Sequence, residues 1–505
     1  MTTKKCLSQK EREFFDLVTQ AISANPFSDE RVEIDLKLSG LSPGASRSER
    51  IAKLAEEVNA RIKLLEEEGV VHLDHFSSED RKLAEKIFLF ASYLQLIDKF
   101  DIHIQDQIKA GDTPLKVLFA KEALTFLLAK GFSAEVALRY FALGYQVRRA
   151  YFFIDQSMLG RSPSMKELRR NLWNNVFTHN LLFYDQHLWN RMEDFSTLIL
   201  GETGAGKGNA AKAIGRSDFI PFNEKKQCFE ESFTSSFISL NISQFPESLI
   251  ESELFGHKKG AFTGAIEDHK GVFARCSPCG AIFLDEIGEI PTPVQIKLLQ
   301  ILQERVFTPV GSHQKVRFRG RVIAATNRSL QEIREQRIFR DDFFYRLCSD
   351  IITVPSLRQR LEEDPKELDD LLAHTIERIV GQPSLELIEM VRAVINAKLG
   401  KHYPWPGNVR ELEQCVRRVL LKRHYEGDYK TTTPDLSSQL KDEVEAGNVD
   451  AQSLLANYCF LLYQRYGTFE EVARRAKLDR RTVKKYVEQG KNNERQKLKN
   501  FKDQP

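Results

Sequence analysis

The stretch that most restricts the fold runs from Thr197 to Ile214. A four-residue apolar run, Thr197–Leu200, passes directly into Gly201-Glu202-Thr203-Gly204-Ala205-Gly206-Lys207-Gly208 and then into a helical segment, Asn209–Ile214. Strand, glycine loop and helix in that order form a phosphate cradle. The glycines let successive backbone N–H groups turn inward on phosphate oxygens, and the helix N-terminus adds positive potential. Lys207 is placed to neutralise the β- and γ-phosphates of a nucleotide. Gly208 departs from the general pattern, in which Ser or Thr offers a hydroxyl to Mg²⁺. Similar short runs recur at Phe237–Leu240, Ala281–Leu284 and Val322–Ala325, separated by amphipathic stretches. That alternation predicts buried parallel strands layered with helices, an α/β domain.

The second run, Ala281-Ile282-Phe283-Leu284-Asp285-Glu286, ends in two carboxylates about 80 residues after the phosphate loop. Asp285 at the strand tip is the candidate Mg²⁺ ligand, and Glu286 the group that polarises an attacking water. A third run ends in Thr326-Asn327, where the neutral amide of Asn327 can orient that water. Arg340 and Arg346 stand six apart in Phe339–Arg346. On a helix they point about 240° apart, so they cannot share one phosphate of their own subunit, and a finger in trans to a neighbouring subunit is the expectation. Cys276-Ser277-Pro278-Cys279 has knuckle spacing but no second pair, and reads as a turn. His72-Leu73-Asp74-His75 reads as a polar loop before a helix.

The rest of the 505 residues is organised around this centre. Residues 1–155 read as helical and as a regulatory region: Phe14, Phe15, Val18 and Ile22 share a face before Asn25-Pro26 stops the helix. The α/β core is expected over 160–356, a helical lid over 357–425, and a polar linker over 426–451. A helical module covers 452–490, and a disordered basic tail 491–505. The longest apolar run, Ile87–Ile97, falls short of the roughly 18 residues a membrane span needs. No apolar stretch follows Met1–Cys6, and seven scattered cysteines fit a reducing, cytoplasmic compartment. The net charge of +3 is uneven: Gln464–Pro505 holds 13 Lys and Arg against 6 Asp and Glu. Within it, Thr468–Ala476, a turn at Lys477-Leu478-Asp479, and Arg480–Val487 have helix-turn-helix form. Val472, Leu478, Val483 and Val487 face inward, and Arg480, Arg481, Thr482, Lys484 and Lys485 are set toward a DNA groove.

At Glu253-Leu254-Phe255-Gly256-His257-Lys258-Lys259-Gly260-Ala261-Phe262-Thr263-Gly264-Ala265 the chain resembles the AAA+ domain of bacterial enhancer-binding proteins, the activators of sigma-54 RNA polymerase. Gly260, Ala261, Phe262, Thr263, Gly264 and Ala265 match that family's sigma-contacting loop, a flexible loop with an apolar ring at its tip. The resemblance covers about 160–421. It implies that Asn241 switches the catalytic Glu286, that Arg340 and Arg346 are fingers, and that Arg410, within Tyr403–Leu412, contacts nucleotide from the lid. It further implies a Fis-type DNA-binding end, ATP and Mg²⁺ as cofactors, and a homo-oligomer, the hexamer. The expected activity is ATP-driven opening of promoters by sigma-54 RNA polymerase holoenzyme from upstream double-stranded DNA. Family members often lack the hydroxyl after the loop lysine, so Gly208 is compatible with turnover. Two features depart from the family: extra residues around Asn180–Trp189, and an amino-terminal region without the strand pattern of a phospho-acceptor receiver. The rival readings are an AAA+ remodeller with another client, and a DNA-binding repressor with a vestigial ATPase; intact Lys207, Asp285 and Glu286 oppose the second.

Overall fold

Serine caps start most of the amino-terminal helices in the computed structural model, which describes residues 4–400, 403–427, 440, 444, 447 and 449–502, with side chains as far as 491. Ser8, Ser28, Ser46 and Ser133 accept from first-turn N–H groups of helices Gln9–Ser23, Asp29–Ser39, Arg47–Glu67 and Ala134–Ser157. Those donors have no partner within the helix itself. Helices Arg81–Ala110 and Ala120–Ala129 complete the set. The first helix ends ahead of Asn25-Pro26 as the sequence predicts. Helix Asp29–Ser39 carries no helical signature, because Val32, Ile34, Leu36 and Leu38 alternate at period two; it is delimited by Ser28 and by Gly40, which ends it at φ 66°.

The central domain has nine strands: β1 Thr197–Leu200, β2 Phe222–Asn223, β3 Cys228–Phe229, β4 Phe237–Asn241, β5 Ala281–Asp285, β6 Val306–Phe307, β7 Val316–Arg317, β8 Arg321–Thr326 and β9 Asp350–Thr353. Five form one sheet in the order β4-β5-β8-β1-β9, and every pair in it is parallel. The four runs singled out in the sequence are all in this sheet. The fifth strand, β9, buries only Ile352 and so shows no apolar run. The pairs β2-β3 and β6-β7 are short antiparallel hairpins.

Alternate residues divide the sheet between two cores. Leu198, Ile282, Leu284 and Ala324 pack with helix Thr292–Glu304 on one face. Ile199, Phe283, Ile323 and Ala325 join a larger core on the other, which continues without a break into the amino-terminal helices. Phe229 of β3 stacks on Tyr145 with ring centroids 3.9 Å apart, and Val117 N–H donates to the Gln227 carbonyl at 2.8 Å. Arg149 is fully buried and donates to the carbonyls of Arg216 and Asp218 at 2.7 and 2.6 Å, just past helix Lys207–Gly215. The residues expected as an insertion, Asn180–Trp189, form helix Leu181–His187. Four helices, Leu357–Glu363, Glu367–Val380, Leu385–Lys398 and Asn408–Lys422, gather around Leu372, Val391, Trp405 and Leu412.

The chain divides into two compact units, Met1–Tyr425 and Glu426–Pro505. In the second, helices Ala451–Tyr466, Phe469–Ala476 and Arg480–Lys502 enclose Cys459, Phe460, Val472, Val483 and Val487. Gly490 does not end the last helix, and the tail expected to be disordered from 491 is helical as far as Lys502. A Cβ at Gly490 would lie 2.6 Å from the Ala456 carbonyl, so this glycine permits two helices to cross closely. Beyond it, Lys, Glu, Arg, Gln and Leu are good helix formers and no proline intervenes. Most of the linker expected at 426–451 lies outside the described residues. Among the described residues no helix is long and apolar enough to cross a membrane.

Candidate nucleotide-binding site

The residues selected for nucleotide chemistry lie at the carboxyl ends of adjoining parallel strands, where open α/β sheets bind ligands. Leu200, which leads into the phosphate loop, is paired with Thr326, next to Asn327. Asn241 is paired with Asp285.

Lys207 opens helix Lys207–Gly215 and is 7% exposed. Its ammonium donates to the Gly201 and Glu202 carbonyls at 2.8 and 3.3 Å. Burial lowers the Lys207 pKa, the carboxylates of Glu286 and Asp285 oppose that shift, and Arg410 adds to it. Gly204 has φ 78°, and a Cβ there would meet the Gly407 carbonyl at 2.3 Å, so the lid lies directly against the loop. A Cβ at Gly208 would find only Phe283, at 3.9 Å; no steric demand accounts for the missing hydroxyl. Ala205 is buried.

The lid is tied down by a residue to which the sequence assigned no role. Asn408 is fully buried, and its Nδ2 donates to Glu202 Oε2 at 3.0 Å and to the Thr203 carbonyl at 3.1 Å. Its Oδ1 accepts from the Leu357 N–H at 2.7 Å. Its φ of 53° is a conformation asparagine tolerates better than most residues. Thr203 Oγ1 accepts from Asn327 Nδ2 at 3.3 Å, so the amide at the end of β8 does face the loop. Arg410 stands one turn into the lid helix, its Cβ 3.0 Å from a Cβ built at Gly204.

Asp285 Oδ1 accepts from the Glu286 N–H at 3.1 Å. Its second oxygen has no protein partner among the described residues, which fits an acid reserved for a cation. Glu286 has φ 55°, the kind of backbone strain that gathers at functional sites. The Asn241 oxygen accepts from Ser243 N–H and Oγ at 3.0 and 2.7 Å. Asn241 therefore occupies the expected strand end but is turned onto Ser243, with no bond to Glu286.

Only Arg346 of the two arginines lies on a helix, so the expected angle between them does not apply. Arg340 precedes helix Asp341–Leu347, is exposed, and pairs with Asp342 at 2.7 Å. Arg346 Nε donates to the Leu302 carbonyl at 2.8 Å. Among the described residues neither is bonded to the phosphate loop.

Between β4 and β5 the chain makes helix Glu247–Phe255 and then the loop Gly260–Ala265. The Gly260 N–H donates to the Ala265 carbonyl at 2.8 Å, closing the loop at its base, and Gly260 and Gly264 have φ 81° and 102°. Phe262 is 36% exposed, with its ring edge-on to His257 at 4.9 Å. The apolar tip is thus folded against His257, and Ala261 rests near Gly311 of the β6-β7 connection.

In the carboxy-terminal unit, Lys477 ends helix Phe469–Ala476 at φ 54° and Asp479 begins the next. Asp479 accepts from the N–H groups of Arg481 and Thr482 at 3.0 Å each, and from the Thr482 hydroxyl. Arg480, Arg481, Lys484 and Lys485 are exposed, although Arg480 pairs with Glu470 at 2.9 Å. The Thr482 hydroxyl is engaged in the cap, so Arg481, Lys484 and Lys485 are the members of this group whose side chains have no ion pair or cap bond among the described residues.

A parallel sheet with a strand–loop–helix phosphate cradle, an acidic strand end and a helical lid defines an AAA+ nucleotide-binding domain. Residues 184–353 match the family described as the sigma-54 interaction domain. Over this domain the chain is similar to bacterial enhancer-binding proteins. It is 38% identical over 276 residues to the Nif-specific regulatory protein of Azotobacter vinelandii, covering 55% of this chain and 46% of that protein. It is 37% identical over 262 residues to the DNA-binding transcriptional regulator NtrC of Azospirillum brasilense, covering 52% and 47%. The chain thus spans about half the length of the curated relatives it matches. Among solved structures, NtrX from Brucella abortus in complex with ATP is 18% identical, covering 73% of this chain and 79% of that one, with a TM-score of 0.40.

Proposed function

We propose that this protein is a sigma-54-dependent transcription activator that binds upstream DNA through Arg480, Arg481, Lys484 and Lys485. It hydrolyses ATP in an oligomeric ring, the hexamer of its family, in the cytoplasm, and remodels sigma-54 RNA polymerase holoenzyme toward the open promoter complex. The observation that carries the reading is positional: the Gly260–Ala265 loop is inserted between Asn241 and Asp285, two paired residues of the nucleotide site. A change at the site's edge is thereby a change at the root of the loop. The sigma-54 interaction domain family and the regulators named above support the same reading.

The residues divide the work. Backbone N–H groups of Gly201–Gly208 and the Lys207 ammonium hold the phosphates, and Arg410 approaches them from the lid. Mg²⁺ held by Asp285 would neutralise charge on the transferring phosphoryl group. Glu286 draws a proton from the attacking water, which Asn327 orients. Arg340 and Arg346 serve as fingers that complete a neighbouring subunit's site. Asn241 relays the state of that site by exchanging Ser243 for Glu286, and Phe262 then leaves His257 to engage sigma-54.

Two substitutions test this. Glu286→Gln is expected to retain ATP binding and to lose hydrolysis by about 10²-fold or more. Thr263→Ala is expected to keep ATPase activity and lose open-complex formation on a sigma-54 promoter. A Thr263→Ala protein that opens promoters normally would count against the loop's role, and turnover unaffected by Glu286→Gln against the catalytic one.

A further inference from the structure

Between the amino-terminal helices and the segments carrying Trp173, Leu181 and Asp185 lies a cavity of 140 Å³ that none of the roles above uses. Cavities of about 150 Å³ in protein interiors admit one benzene ring. The walls suit such a body: Phe90, Tyr93, Phe141, Tyr151 and Trp173 all line it.

The wall is also charged, mostly with one sign. Arg31, Arg47, Lys86 and Arg148 border the cavity against a single carboxylate, Asp185. Three of these charges are already matched: Arg31 with Asp35, Arg148 with Asp101, and Asp185 with Arg139. Arg47 is different. Its guanidinium lies over the Tyr151 ring at 3.9 Å and donates only to the Pro26 carbonyl, at 3.1 Å. No carboxylate reaches it within ion-pair distance among the described residues, and none reaches Lys86. Burial pushes the Arg47 pKa down and Arg31 adds to that shift, while Tyr151, Asp155 and Tyr93 only partly oppose it. A part-buried cation without a counter-ion, beside an aromatic space, recruits an anion that brings its own apolar surface.

We propose that this cavity binds a small organic acid, with an apolar body the size of one ring and a single carboxylate that pairs with Arg47. The aromatic wall takes the body. The guanidinium fork takes the carboxylate, with Lys86 as a second positive charge.

The test is calorimetric titration of the full-length protein with benzoate, and with benzamide as the neutral shape match. Benzoate is expected to bind with Kd below about 1 mM, and benzamide about 10-fold or more weakly, the difference one charge-assisted pair supplies. Arg47→Gln is expected to bring benzoate to the benzamide level. Gly144→Leu adds a side chain to the wall beside Phe100 and Tyr93 and is expected to abolish both. A Cβ at Gly144 makes only ordinary contact, 3.6 Å from Phe100, and circular dichroism checks that the variant is folded. Benzoate binding no tighter than benzamide, binding unchanged by Arg47→Gln, binding unchanged in folded Gly144→Leu, or no heat from either compound would each overturn the proposal. The readout uses neither ATP nor sigma-54, so it stands or falls separately from the function proposed above.

Discussion

Asn408 concentrates three tertiary hydrogen bonds on one buried amide, joining the phosphate loop, the lid and the entry to helix Leu357–Glu363. Asn408→Ala removes both ends of that amide, leaves the buried Leu357 N–H without a partner and cuts the two bonds to the phosphate loop. It also puts alanine at φ 53°. The expected cost is about 2–4 kcal/mol in urea unfolding, together with weaker ATP binding. Asn408→Gly relaxes the backbone but not the lost bonds, and is expected to fall between alanine and the native residue. His103 makes a second prediction at this scale. It is 7% exposed, its Nε2 has no partner, and burial lowers its pKa to about 4. The folded protein therefore keeps a neutral imidazole while the unfolded chain takes up a proton below about 6.5. Stability is complete above that pH and declines as pH falls from about 6.5 toward 4, by about 3 kcal/mol from this group alone. His103→Phe is expected to flatten that limb of the pH–stability curve measured by thermal unfolding.

At the scale of elements, helix Ala134–Ser157 connects two regions. Arg148 borders the cavity, and Arg149 holds the carbonyls that follow the phosphate-loop helix. Arg149→Met leaves those carbonyls without donors and is expected to cost about 2–3 kcal/mol in chemical denaturation. Arg149→Lys, which lacks the fork, is expected to recover part of that loss. These connections also mark what a sequence can display. β1, β5 and β8 were legible because both their faces are buried, which writes a continuous apolar run. β9 was not, because Ile352 alone is buried, and two-residue strands such as β2 and β3 carry no period at all. In the site, groups that act through their neighbours in the chain were readable: the glycine loop with Lys207, and Asp285 with Glu286. Asn408 bonds residues more than 200 positions away, and the rest of Phe262 against His257 depends on a folded loop; neither leaves a local pattern.

At the scale of the whole first unit, the helical region and the sheet share one core, in which Phe141, Tyr145, Phe222 and Phe229 meet face to edge and face to face. Deleting residues 1–155 would expose the sheet side of that contact, along with the carbonyls that Arg149 serves. The expected product is a fragment that binds a hydrophobic dye, aggregates on heating and melts well below the intact protein. A soluble fragment with an undiminished melting temperature would contradict this. Many regulators are assembled like trains, with carriages that can be uncoupled and exchanged. Here the carriage and the engine have one chassis, cast around Tyr145 and Phe229. A transplant of the first 155 residues onto a foreign sheet would arrive with half of its interior left behind, so the two sides of this core have to diverge together.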